Sequence, residues 1–227
     1  MLNDNIVKIK DSIVAVGVKL NENQVSIIGS GFSVSNDGKI LSAAHLYNGL
    51  EPEQIKNFVG MAMIKREKSG LEYYSWSPLE LIKKEDKNEV VLLQMRDYKK
   101  TLLKPLELGD SEKVEAGNEV YFIGFPYAAQ LINDGFGITL IVNRAIISNI
   151  KQDGINLDHP RNWFIVDTIS NPGNSGSPLI NAQTNKVIGI MTISFRKKSQ
   201  VQQDLDIHEP MHIAGAKPIN LAKELLK

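Results

Sequence analysis

The stretch Asn171-Pro172-Gly173-Asn174-Ser175-Gly176-Ser177-Pro178-Leu179 has the composition of a turn that presents a nucleophile. Gly173 and Gly176 bracket Ser175 at the entry to a β-run, so the backbone can bend sharply enough to expose Oγ and to aim consecutive N–H groups at one point. A hydroxyl beside converging amides suits acyl transfer, in which the hydroxyl attacks a carbonyl and the amides stabilise the oxyanion that forms. By itself, Gly-x-Ser-Gly also fits an ordinary tight turn. A base and an orienting carboxylate separate the two readings, and the chain has candidates for both. His45 follows the run Leu41-Ser42-Ala43-Ala44, and Glu89 heads the run Val90-Val91-Leu92-Leu93. Histidine, acid, serine is one of the chain orders in which such triads occur.

These three groups lie far apart along the chain, so a scaffold must bring them together. Apolar runs rich in Val, Ile, Phe and Tyr recur between turn residues, the pattern of an all-β sandwich or barrel. In the first half they are 13–20, 25–34, 39–43, 58–64, 71–77 and 90–95, with Asn36-Asp37-Gly38 as a hairpin turn. The second half has 119–125, 138–150, 163–168, 178–180, 187–195 and 211–216. Between them, 104–118 is rich in charge and glycine and reads as a boundary, giving units 1–105 and 106–227 that together form one working unit. Only the last segment reads as a helix, with Asn220 as its cap and Leu221, Leu225 and Leu226 on one face. Two six-strand halves fit a pair of barrels whose sequences have diverged.

Composition narrows the chemistry further. Of 227 residues, 42% are apolar and 23% charged, ordinary for a globular protein. Twenty-six basic residues balance 26 acidic ones, so no global field draws in nucleic acid or an anionic membrane. Lys83-Lys84 and Arg196-Lys197-Lys198 read as solvated loop charges. Zero cysteines remove disulfides, thiol nucleophiles and cysteine zinc sites. The polar start and the lack of a long apolar run give the expectation of a cytoplasmic protein without a membrane span.

The chain resembles the trypsin-like peptidases, and within them the bacterial HtrA/Deg type. Gly29-Ser30-Gly31-Phe32, followed by Asp37-Gly38-Lys39-Ile40-Leu41-Ser42-Ala43-Ala44-His45, is similar to the strand pair that leads to the family's catalytic histidine. Leu108-Gly109-Asp110-Ser111, Gly117 and Gly124-Phe125-Pro126 resemble the linker and the first strand of the second barrel. Asn171 to Leu179 resembles the nucleophile loop, Val187-Ile188-Gly189-Ile190 the cleft strand, and Ala216-Lys217-Pro218-Ile219-Asn220 the closing strand and terminal helix. The resemblance implies an all-β fold of two six-stranded antiparallel β-barrels of the chymotrypsin/trypsin type with a short C-terminal helix. It also implies a serine endopeptidase acting on protein or peptide substrates through an acyl-enzyme, with no cofactor.

Carried over, Ser175 is the nucleophile, His45 the general base and then acid, and Glu89 the orienting group, where the family usually has aspartate. Asp86 is the alternative third member, and no functional third member is the other. The Gly173 and Ser175 amides form the oxyanion hole, each donor stabilising the intermediate by about 3 kcal/mol. Ser177 stands where the family often has glycine. Asn174 replaces the aspartate that pairs with a newly cut N-terminus in digestive relatives, so activation of that type is not expected. Ile169 reads as the base of the primary pocket, with Thr192, Ile193 and Ser194 along one wall, which suits small or medium aliphatic side chains.

Other readings compete at several points. His208-Glu209-Pro210-Met211-His212 matches the H-E-x-x-H string of zinc peptidases, but a proline inside it opposes the helix that string requires. His159 reads as a solvated loop residue, and Trp76, Trp163, Tyr73 and Tyr74 as barrel packing. The stretches 127–137 and 199–209 read as mobile loops beside the cleft. A catalytically silent peptide-binding module on the same fold is the rival function, and an esterase would use the same residues. No PDZ domain is expected after the terminal helix. A homo-oligomer or a regulatory partner stays open.

Overall fold

The computed structural model describes residues 2–152, 161–198 and 208–227. A first helix, α1 (Leu2–Lys10), leads into β1 (Ile13–Asn21), β2 (Gln24–Ser33) and β3 (Lys39–Ala43). Short helices α2 (Ala44–Asn48) and α3 (Pro52–Lys56) precede β4 (Phe58–Arg66), β5 (Glu72–Glu85) and β6 (Val90–Met95). The second half contains β7 (Glu119–Gly124), α4 (Ala128–Asn133), β8 (Ile141–Lys151), β9 (Trp163–Val166), β10 (Pro178–Asn181), β11 (Val187–Lys198) and β12 (His208–Pro218). A last short helix, α5 (Asn220–Lys223), ends in a 3-10 turn.

The strands close into two barrels, in the orders β1-β2-β3-β6-β5-β4 and β10-β11-β12-β9-β8-β7, and every pairing within them is antiparallel. Period-2 alternation explains why several strands are apolar on both faces. On β1, Val14, Val16 and Val18 fill the first barrel, while Ile13 and Ala15 join a second cluster outside it. On β7, Val120 and Phe122 fill the second barrel, while Tyr121 and Ile123 reach that same outer cluster. Phe32, Leu41 and Val90 enter it from one barrel, Ile180, Val187 and Ile190 from the other, so the two barrels are joined by a common core.

Several expectations need correction. Lys83 and Lys84 are not loop charges: β5 runs on to Glu85, pairing Lys83 with Leu92 and Lys84 with Val91 beyond a register shift at Leu81/Lys83. The exposed side chains tolerate charge while the backbone stays in the ladder, and the bulge bends the strand as barrel closure requires. Arg196, Lys197 and Lys198 likewise lie on β11, opposite Pro210, Glu209 and His208. Helices α1 to α4 were not expected. The 127–137 stretch holds α4, and the sequence 128–133 is too short to show a helical period. His159 and residues 199–207 lie outside the described residues.

Candidate active site

Strand register brings His45 and Glu89 together. Ala43 at the end of β3 pairs with Val90 at the start of β6, and the Ala44 N–H donates to the Glu89 carbonyl at 3.0 Å. His45, in the first turn of α2 two residues past β3, therefore faces Glu89, the residue just before β6, although 44 positions separate them. Glu89 closes the turn between β5 and β6 in a left-handed conformation, φ 56°. His45 Nδ1 lies 3.0 Å from Glu89 Oε2, and the His45 backbone N–H donates to the same oxygen at 3.3 Å. That hydrogen bond to the imidazole, partly opposed by desolvation, holds the Glu89 carboxyl below its ordinary range, and Lys217 adds a smaller contribution of the same sign. With Nδ1–H pointing to the carboxylate, Nε2 is left free to accept a proton. Asp86 is engaged elsewhere. It accepts from Asn48 Nδ2 at 2.8 Å and from Lys84 Nζ at 3.0 Å.

Ser175 sits on the turn before β10. Gly173 (φ 100°) and Gly176 (φ 84°) both occupy left-handed backbone that side chains resist. Space imposes the same demand, because a Cβ on Gly173 would strike the Phe125 carbonyl and one on Gly176 the Ser30 carbonyl and the Ser42 hydroxyl. Among the described residues, neither the Gly173 nor the Ser175 N–H donates to a protein acceptor. The Ser175 hydroxyl donates to the Thr192 carbonyl at 3.4 Å, a long and weak bond, and none of its hydrogen bonds reaches His45. Asn174 is fully buried, and its side-chain oxygen and nitrogen have no hydrogen-bond partner among the described residues.

Beside the His45–Glu89 pair lies a cavity of about 440 Å³, walled in part by Thr192, Ile193, Trp163 and Lys217. Of the four residues expected to shape specificity, the structure brings Thr192 and Ile193 to this cavity. Ile169 lies half-buried just past the bend that follows β9, and the Ser194 hydroxyl is buried without a hydrogen-bond partner among the described residues; neither lines the cavity. Trp163 and Lys217 were not expected there. Lys217 is 1% exposed, and its ammonium lies 3.8 Å from the Trp163 ring centroid, within cation–π range. A legible signal existed in the lysine that interrupts the small, apolar run Ala214-Gly215-Ala216 before Pro218. His208 and His212 lie on β12, where a four-residue separation spans about 13 Å rather than one helical turn. Among the described residues no group of three or more His, Asp or Glu is arranged to hold a metal ion.

Residues 29–190 match the family model described as the trypsin-like peptidase domain. The chain is 32% identical over 174 residues, 75% of its length, to a probable periplasmic serine endoprotease DegP-like from Halomonas elongata, and covers 30% of that protein. It is 30% identical over 168 residues, 73% of its length, to the serine protease HTRA1 of Xenopus laevis, covering 31% of it. The chain thus spans about a fifth to a third of the curated relatives it matches. The name of the Halomonas relative gives the cytoplasmic expectation no support. In fold, the chain superposes over its whole length on the HtrA-type protease AlgW solved with a tripeptide, covering 62% of that chain (TM-score 0.67, 22% identity). It matches Deg5 over 98% of its length and 90% of that chain (TM-score 0.68, 19% identity). With the family match spanning both barrels from β2 to β11, and HtrA/DegP proteins as its relatives, the chain belongs to the trypsin-like peptidases.

Proposed function

We propose that this chain is a serine endopeptidase working through Ser175, His45 and Glu89. Ser175 Oγ leaves the Thr192 carbonyl, gives its proton to His45 Nε2 and attacks a peptide carbonyl. The amides of Gly173 and Ser175 receive the oxyanion. His45 returns the proton to the departing amine, leaving an acyl-Ser175 that water hydrolyses by the same route. Glu89 holds the imidazole in the required tautomer and offsets its positive charge. The observation that carries this reading is the 3.0 Å contact between His45 and Glu89, set by the register of β3 and β6. The silent-module alternative is not favoured, since the histidine–carboxylate pair and the glycine-bracketed serine are both intact.

Labelling by a fluorophosphonate, read by intact mass, tests the reading without knowledge of the substrate. The full chain should gain one adduct and the Ser175→Ala variant none; equal labelling, or none in either, sinks the proposal. The substrates we propose are proteins or peptides, cleaved after small or medium aliphatic residues, with Ile169 under the primary pocket and Thr192, Ile193 and Ser194 along its wall. An apolar base would leave a buried Lys or Arg without a partner, which costs several kcal/mol. Preferential cleavage after Lys or Arg in a peptide library would overturn that assignment.

A further inference from the structure

An oxyanion hole works only if its two N–H groups point at one spot before the substrate arrives, so each peptide plane of the turn must be fixed. A trans peptide aims its N–H opposite to its carbonyl, so anchoring the carbonyl aims the amide. The Pro172 carbonyl, which sets the Gly173 N–H, accepts from the Tyr127 N–H at 2.8 Å. The Asn174 carbonyl, which sets the Ser175 N–H, accepts from the Ser177 N–H at 3.0 Å. Two planes remain, those beginning at Gly173 and at Ser175. Their N–H groups donate to the Asn171 carbonyl at 3.0 Å and the Met191 carbonyl at 2.7 Å, and both of their carbonyls are held by one residue of the other barrel, Ser30 on β2. Its hydroxyl donates to the Gly173 carbonyl at 2.7 Å, and its N–H donates to the Ser175 carbonyl at 2.8 Å.

The Ser30 hydroxyl has a second task. It accepts from the Phe125 N–H at 3.0 Å, two residues before the Tyr127 N–H that anchors the Pro172 carbonyl. One oxygen, fully buried, therefore ties the turn to the segment that braces it from β7. In this turn no ion pair does that work, because Asn174 is neutral and neither polar atom of its side chain has a hydrogen-bond partner among the described residues. Without the hydroxyl, the Gly173 carbonyl and the Phe125 N–H lose a partner inside the protein, and the easiest relief is rotation of the turn.

We propose that Ser30 is a positioning residue for catalysis, its hydroxyl bridging the Gly173 carbonyl and the Phe125 N–H and so holding the oxyanion turn ready for substrate. The inference rests on the serine-peptidase reading. A rotated turn misplaces the donors by an ångström or so, which lowers the rate about a hundredfold without weakening encounter with the reagent.

Fluorophosphonate inactivation separates maximal rate from half-saturating concentration and serves as the test on the full chain. Ser30→Ala should lose about a hundredfold in maximal rate, with the half-saturating concentration within about twofold. Ser111→Ala is the matched control. It deletes an equally buried hydroxyl, which accepts from the Asn220 N–H at 3.2 Å beside the C-terminal helix. Both variants should lower the thermal midpoint, but Ser111→Ala should leave the inactivation rate unchanged. Ser30→Cys keeps the volume with a weaker hydrogen-bonding atom and should give an intermediate rate, and it decides the matter if Ser30→Ala does not fold. Wild-type rates in Ser30→Ala or Ser30→Cys overturn the role of Ser30 alone. A wild-type chain that never labels removes the peptidase reading and this inference with it.

Discussion

Glu89 meets two geometric demands at once, a left-handed backbone and a carboxylate within hydrogen-bond reach of His45. Its left-handed backbone is one that aspartate tolerates better than glutamate, so backbone preference does not explain the longer side chain. Reach does, because the 3.0 Å contact is built for the extra methylene. Glu89→Asp should therefore lower the fluorophosphonate rate about a hundredfold, and Glu89→Gln, which removes the charge and admits the wrong imidazole tautomer, about a thousandfold or more. The pH dependence follows from the lowered carboxyl. A folded-state value below the unfolded one makes the carboxylate's contribution to stability complete above about pH 4.3 and lost as pH falls through the folded value. In urea unfolding, the stability gap between wild type and Glu89→Gln should be present at pH 6 and shrink as the pH falls below the unfolded value and through the lower folded one. A gap unchanged at pH 3 would contradict the pairing. Lys217→Met should raise the midpoint of Glu89 in a carboxyl ¹³C titration, since the nearby ammonium favours the ionised form.

The nucleophile turn illustrates how an element is constrained by its neighbours rather than by its own preferences. Pro172 to Ser177 makes few bonds within itself, and its shape is imposed by β2, by the segment after β7 and by β11, whose Met191 carbonyl accepts from the Gly176 N–H at 2.7 Å. Gly176→Ala should be severely disabling. Its left-handed backbone costs about 1–2 kcal/mol for alanine, and the new methyl collides with the Ser30 carbonyl and the Ser42 hydroxyl. The expected result is a lower thermal midpoint together with loss of labelling. Retained labelling at the wild-type rate would mean that the turn moves more freely than its bonds imply. At the same scale, β12 places Lys217 on the Trp163 ring next to Glu89, so a strand that closes the second barrel also contributes charge to the site.

The residues of the proposed triad come from both barrels, His45 and Glu89 from one and Ser175 from the other, so that site exists only while the barrels stay docked. The common core makes that docking part of folding. Phe32 and Leu41 meet Tyr121, Ile123 and Phe125 in one cluster. The two tryptophans report the barrels separately, Trp76 on β5 and Trp163 on β9. Single-tryptophan variants, Trp76→Phe and Trp163→Phe, should unfold in urea with coincident fluorescence and circular-dichroism transitions in each protein, the mark of one cooperative unit. Two separated transitions would show that each barrel holds itself together. Phe32→Ala, which empties part of the common core, should cost about 3–5 kcal/mol and shift the transition seen by either tryptophan.

Local sequence was enough to locate the strands and to single out the serine, the histidine and the carboxylate. Alternation and turn residues place β3 and β6 at their observed bounds and most other strands within a few residues, because burial of one or both strand faces is a local, period-2 demand. The glycine-bracketed serine was legible for a similar reason, since positive φ restricts residue type position by position. Tertiary structure alone decided the rest. Register chose Glu89 over Asp86 at the imidazole, and a side chain three residues away in the same hairpin turned to Asn48 and Lys84 instead. The ends of β5 and β11 kept their lysines in the ladder because neighbouring strands supplied partners that no local preference for charge reveals. The roles of Ser30 and Lys217 depend on contacts between distant segments, 143 positions apart for Ser30 and Gly173, and such contacts exist only once both barrels have closed.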